Sequence, residues 1–341
     1  MTARPSETLP HAAPAASARP AVRAPGTGRL HPLAWLALAL LLLAIPVFTS
    51  HDGVLFFVTY VLILAMFALA YDLAFGLSGM LSIGHAVFFG IGGYTVAILT
   101  MQHGMSFEPA LLIGALLAGV VASLFGLVAL RLSGIFFALT TLALGQLAMI
   151  ASDTVLAGVT KGQDGLAGVP RPALFGLDFL RADYFLVYVI VVFMVVLAIV
   201  ARLRNSPFGQ VMVAIRTNEL RAGQLGFDVK YFKIAVLVIS GCLSGLAGGL
   251  LASQIFFVNS GILHWTMSGD VIIMTLMGGA GTLFGPILGA VAFEGMKEWL
   301  SQLTDHWRGV MGIIFVLFVI LLPDGLAGLA RRVRERWKNR T

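Results

Sequence analysis

Ten apolar stretches, most of them close to twenty residues long, follow one another along this 341-residue chain, at about 33–50, 54–75, 79–101, 109–130, 133–152, 185–203, 229–254, 265–284, 286–303 and 309–323. A helix needs roughly 20 apolar residues to cross the hydrocarbon core of a bilayer. Inside lipid the backbone must satisfy its own hydrogen bonds, so runs of this length can only fold as helices. Charged residues make up 11% of the chain, against about a quarter in soluble domains. The expected fold is all-α, a polytopic membrane protein of about ten transmembrane helices. The third, eighth and ninth stretches leave room for broken or re-entrant segments. The transmembrane unit is expected over 33–324. An Ala-, Pro- and Arg-rich tail at 1–32 has no apolar period and reads as disordered. A basic tail occupies 325–341, and no cleavable leader is expected.

The basic residues set an orientation. With the amino terminus in the cytoplasm and alternating spans, Arg4, Arg19, Arg23, Arg29, Arg131, Arg202, Arg204, Arg216, Arg221, Lys230, Lys233 and six residues from Arg331 to Arg340 fall inside. Only Lys161, Arg171, Arg181 and Arg308 fall outside, with Lys297 within a span. A bias of seventeen to four is the positive-inside pattern, and it predicts an even number of spans with both termini in the cytoplasm. The net charge of +6 therefore marks membrane orientation rather than a nucleic-acid partner. Two loops stand out: an external one at 153–184 and a cytoplasmic one at 204–228.

Glycine is abundant in the apolar stretches. Lipid gives helices little hydrophobic drive to associate, so close backbone approach through small residues takes over. Ser82, Ala86 and Gly90 stand four apart, as do Gly241, Gly245, Gly249 and Ser253, and again Gly281, Gly285 and Gly289, where Pro286 suits a first helical turn. One reading is packing alone. The other is that some glycines break the spans around a central pathway, as transporters require. Gly76 with Gly79, and Gly278 with Gly279 and Gly281, favour breaks, and the segments GLSGMLSIG and GGAGTLFG are weakly alike.

Polar residues inside the apolar stretches are candidates for function. Ser82, His85, Thr140, Thr141, Gln146 and Asp270 could line a substrate route, or equally hold helices together by hydrogen bonds. For His85 the favoured reading is a neutral imidazole bonded to a neighbouring carbonyl. Glu294 and Lys297, three apart, can pair on one helix face. The single cysteine, Cys242, excludes an intramolecular disulfide and reads as a small buried residue. The chain carries no G-x-x-x-x-G-K-[ST] phosphate loop, no Cys/His metal spacing and no G-x-S-x-G. Chemistry on this chain, a bound cofactor or a resident metal are not expected. Active transport would draw on an ion gradient or on another subunit.

The cytoplasmic loop bears on that choice. VMVAIRT has helical spacing of apolar residues and leads into NELRAGQLG at Asn218–Gly226. A short amphipathic helix ended by glycine would make a knob that a soluble partner could seat in a groove, or it would lie on the headgroups.

The loop resembles the EAA-type coupling loop of ABC importer permeases, with Glu219, Ala222 and Gly226 at matching positions and Leu220 and Arg221 departing from the pattern. From residue 54 onward the resemblance is broader. GLSGMLSIGHAVFFGIGGYTVAIL, RLSGIFFALTTLALGQ, SPFGQVMVAIRTNELRAGQLGFDVKYFKIAVLVISGCLSGLAGGL, SGDVIIMTLMGGAGTLFGPILGA and LPDGLAGL follow in the order found in branched-chain amino-acid ABC transporter permeases, of the LivM type rather than its LivH-type partner. The segment TKGQDGL departs, with Lys161 where the family usually has a second glycine. The resemblance implies a permease in the bacterial cytoplasmic membrane that works with a homologous LivH-type permease, two ABC ATPases that bind ATP and magnesium, and a periplasmic binding protein. It implies that Glu219, Ala222 and Gly226 couple to the ATPase. The alternatives are a permease for urea, short amides or sugars in the same superfamily, an ion-coupled secondary carrier and, with no positive signal, a membrane scaffold.

Overall fold

Every residue from Val61 to Asp72 is buried. A helix that is apolar and buried all round must stand at the centre of its bundle, and in the computed structural model this helix is the post around which the others gather. The described residues are 32–49, 51–173 and 179–329. The expected amino-terminal tail and the basic residues from Arg331 onward lie outside them.

The helices are α1 (Pro32–Phe48), α2 (Asp52–Asp72), α3 (Ala86–Met101), α4 (Phe107–Ala129), α5 (Ile135–Asp153), α6 (Ala157–Thr160), α7 (Ala182–Arg204), α8 (Pro207–Thr217), α9 (Glu219–Gln224), α10 (Val229–Gln254), α11 (Trp265–Gly278), α12 (Gly285–Leu303) and α13 (Trp307–Leu321). Each apolar stretch read from the sequence contains a helix. Six segments are long and apolar enough to cross a bilayer: 52–77, 107–129, 135–153, 182–204, 229–254 and 307–329. The remaining stretches supply α1, α3, α11 and α12, and glycine-containing breaks set the limits of α3 and α11. The third stretch is helical only from Ala86, and the eighth ends at Gly278 rather than at residue 284.

The glycine faces pack as small-residue faces should. On α10, Gly241 and Gly245 lie against Ala122, Ala118 and Gly114 of α4, and Gly249 lies against Leu111. The opposite side of α10 meets α3 so closely that a Cβ on Gly248 would collide with the carbonyl of Phe89. Gly285 and Gly289 bring α12 onto the backbone of Gly278 and Met274. Gly90 faces Leu263. Two expected members of these rows do not belong to them. Ser82 precedes the start of α3, and Gly281 lies in the α11–α12 connection, so neither shares a helical face with its partners.

The bundle has two distinct ends. At one, Leu166–Ala167 (β1) pairs antiparallel with Phe257–Val258 (β2). There Arg171 donates to the carbonyls of Phe179 (3.2 Å) and Leu180 (2.9 Å) and lies over the rings of Phe185 and Phe256. Burial lowers its pKa from the ordinary arginine value. Lys161 in the same region has φ +59°, the left-handed conformation that favours glycine. The resemblance implies a glycine at this position, which is the residue this backbone favours. The other end carries α8, α9 and the C-termini of α2 and α7.

Candidate functional site

Helix ends leave carbonyls without partners, and a broken span multiplies that problem in the interior. Leu73–Leu77 forms a single π-helical turn after α2, and residues 78–85 are not helical. Gly79, Gly279 and Gly281 take φ of +77°, +109° and +80° at the two interruptions. The interruptions touch: a Cβ on Gly76 would collide with the backbone nitrogen of Gly281 and with the Asp72 carboxylate.

Three charged side chains close this junction. Arg204, the last residue of α7, ion-pairs with Asp72 at 2.7 Å, with 6% and 0% of the two residues exposed. Arg204 also donates to the carbonyls of Thr282 (3.1 Å) and Gly281. The other carboxylate oxygen of Asp72 accepts from the Gly281 N–H at 2.8 Å. Arg216 of α8 donates to the carbonyl of Gly76. Each guanidinium thus supplies the donors that broken helices lack. None of the three is among the site candidates that the sequence offers. Asp72 had a signal, as the one acid in the second apolar stretch.

Of the expected pathway residues, Ser82, His85 and Thr141 come together at the non-helical start of the third stretch. Thr141 accepts from the Ile83 N–H at 3.1 Å, and Ser268 accepts from the Ala86 N–H at 2.8 Å. His85 is fully buried among Phe67, Tyr71 and Phe88. Its partner is a hydroxyl rather than a carbonyl: Ser240 Oγ lies 2.9 Å from His85 Nε2 and donates to the Ala70 carbonyl. That carbonyl can only accept, so the Ser240 proton is committed to it and His85 Nε2 must carry the other proton. Nδ1 then bears the lone pair, and neither it nor Ser82 Oγ has a hydrogen-bond partner among the described residues. Thr140 bonds back to Phe136 of its own helix, and Gln146 is half-buried on α5. Asp270 sits elsewhere, beside a small cavity lined also by Tyr60 and Glu294. Glu294 pairs with Lys297 at 3.0 Å, as their spacing predicts.

The loop at 204–228 folds as two capped helices. Ser206 accepts from the Gly209 N–H, with Pro207 in the first turn of α8, and Asn218 accepts from the Arg221 N–H to start α9. Glu219 pairs with Lys233 at 2.6 Å, which ties α9 to α10. Gly226, at φ +90°, turns the chain toward α10. Ala222 does not present its methyl to the outside. It is 2% exposed and belongs to the chain's own core. The outward residues are Leu220, Leu225 and Tyr231, at 82%, 72% and 67% exposure. Between this loop, the end of α4 and the break after Leu77 lies a cavity of about 500 Å³, lined in part by Ser78, Ser133, Arg216, Asn218, Glu219 and Lys233.

A glycine-packed helical bundle with two glycine-rich breaks between its helices and an apolar knob at one end is the architecture of a membrane transport subunit. Comparison with known proteins gives the family. The profile described as "Branched-chain amino acid transport system / permease component" matches residues 53–319. The chain is 29% identical over 321 residues to the high-affinity branched-chain amino acid transport system permease protein LivM of Escherichia coli strain K12, covering 87% of this chain and 75% of the relative. It is 24% identical over 263 residues to the probable LivM of Methanocaldococcus jannaschii, covering 71% and 74%. It is 28% identical over 265 residues to the autoinducer 2 import system permease protein LsrC of Escherichia coli O9:H4 strain HS, covering 72% and 73%. No solved structure matches. The chain belongs to the branched-chain amino acid transport system permease family, and its role is transport rather than catalysis.

Proposed function

We propose that this chain is one permease of an ABC importer for branched-chain or related amino acids in the bacterial cytoplasmic membrane. It would pair with a homologous LivH-type permease, two ATPases that carry ATP and magnesium, and a periplasmic binding protein. The relatives named LivM support the substrate class, and the LsrC relative keeps non-amino-acid cargo as the second reading. Helices α1, α3, α11 and α12 complete ten crossings, with both termini and residues 204–228 in the cytoplasm. Ser82, His85 and Thr141 flank the route at the third span, with Thr140 and Gln146 along α5 and Asp270 nearer the external side.

The observation that carries the reading is the exposed apolar surface of the loop. Leu220 on α9, Leu225 at its end and Tyr231 in the first turn of α10 are exposed beside basic residues, and exposed apolar surface of this kind marks a protein interface. Glu219 and Gly226 serve it indirectly, by tethering and turning α9, and Ala222 by anchoring α9 in the core. Leu220→Glu places a charge in that interface, where its desolvation opposes docking. The expected result is a permease that inserts normally but loses the co-purifying ATPase and substrate uptake in reconstituted vesicles. Wild-type levels of both would remove the loop from coupling and favour an ion-coupled carrier.

A further inference from the structure

The break that follows α2 and the break between α11 and α12 meet at Gly76 and Gly281, and one side chain from the loop reaches both. Arg216 stands in the last turn of α8, two residues before the Asn218 cap of α9. Its aliphatic stem crosses Gly79, where a Cβ would stand 3.1 Å from Cγ. Its Nη1 donates to the Gly76 carbonyl and stands 3.2 Å from where a Cβ on Gly281 would lie. The residue therefore touches the break that follows α2 and the break between α11 and α12.

Three further features make this contact a link rather than a surface decoration. Gly79 and Gly281 have left-handed backbones, so the segments that Arg216 holds are glycine hinges and not continuous helix. Behind them, the Asp72–Arg204 pair and the Gly281 N–H form a buried clamp. The clamp fixes α2, α7 and the α11–α12 connection to one another. In front, α8 is anchored in the core by Met212 and Ile215 and continues into the exposed knob. A push on the knob thus reaches the hinges through α8 and Arg216.

We propose that Arg216 is a positioning residue for energy coupling, carrying displacement of the cytoplasmic loop to the two breaks through its contacts with Gly76, Gly79 and Gly281. This rests on the reading of the loop as the ATPase-docking element. The guanidinium suits the role because it offers several donors in a fixed plane to carbonyls that have lost their helical partners. A lysine at the same position supplies one compact charge with no fork geometry.

The test uses the complete transporter, with wild type, Arg216→Gln and Arg216→Lys reconstituted in vesicles. ATPase co-purification, ATP hydrolysis and substrate uptake are measured on each. The expected result is normal ATPase co-purification in both variants. Uptake per ATP hydrolysed falls at least about tenfold for glutamine and to an intermediate value for lysine. A wild-type ratio in the glutamine variant overturns the proposal, as does an equal loss in both variants. If the glutamine variant does not assemble, the lysine variant decides: a lowered ratio supports the link and a wild-type ratio removes it. Failure of the underlying reading looks different, since the wild-type chain would then bring down no ATPase at all.

Discussion

Arg204 and Asp72, the last residues of α7 and α2, are 132 positions apart in the chain and 2.7 Å apart in the fold. Both are buried, and the pair forms where two helices end and two breaks begin. Removing one partner of a buried pair leaves an uncompensated charge and costs about 3–5 kcal/mol. Asp72→Asn should therefore lower the thermal unfolding midpoint of the detergent-solubilised chain by several degrees. The double change Asp72→Leu with Arg204→Met should not restore it, because the carbonyls of Gly281 and Thr282 would still lack their donor. Restoration to the wild-type midpoint would show that the charge pair alone matters and the carbonyl contacts do not.

Gly245 rests on Ala118 and Gly114 of α4, within the same chain. Gly245→Leu should force α10 from α4 and destabilise the permease itself by at least the roughly 1–3 kcal/mol expected of overpacking. Gly312→Leu on α13 is the control, since no atom of the described residues lies within 4 Å of a Cβ built there. Size-exclusion profiles of the two variants should differ, with aggregation confined to the first. A monodisperse Gly245→Leu protein with a wild-type melting point would contradict the packing.

Lys161 holds a left-handed backbone at φ +59°, a conformation that costs an L-residue with a Cβ roughly 1–2 kcal/mol. Lys161→Gly should relieve that cost, less what glycine adds to the entropy of the unfolded chain. A net gain of about 0.5–1 kcal/mol is expected, seen as slower proteolysis of the 153–173 segment. Faster cleavage would mean that the lysine side chain contributes a contact worth more than the strain.

The orientation is open to direct measurement. Asp164→Cys and Gln224→Cys, each in a Cys242→Ala background, place single thiols at exposed positions at opposite ends of the bundle. In intact spheroplasts an impermeant maleimide should label position 164 and spare position 224. The reverse pattern would invert the membrane topology.

Much of the fold was legible because the bilayer imposes a simple code. Apolar length dictates helices, and the rows of small residues on α10 and α12 dictate which faces approach closely. The positions of the two breaks were also readable from their glycines: Gly79, Gly279 and Gly281 take the positive φ that favours glycine, and Gly76 and Gly278 lie where a Cβ would collide with neighbouring backbone. Glu294 and Lys297 pair because their spacing on one helix already brings them together.

Other features had no local signature. The sequence separated Asp72, Arg204, Arg216 and Gly281 by long intervals, and no periodicity links residues on different helices. Arg204 and Arg216 looked like two more loop cations of the inside-positive set, and only the fold shows that they fill the hydrogen-bonding deficit of the breaks. Ala222 looked like an outward contact because the resemblance implies a docking role for its loop. Burial of its methyl depends on how α9 leans on α10, which the Glu219–Lys233 pair sets across fourteen residues. The sequence by itself determined that the chain spans a membrane, where its helices break and which faces are smooth. The tertiary structure alone decided which charges meet at the breaks, because a buried charge takes its partner from whichever helix end the packing brings within reach.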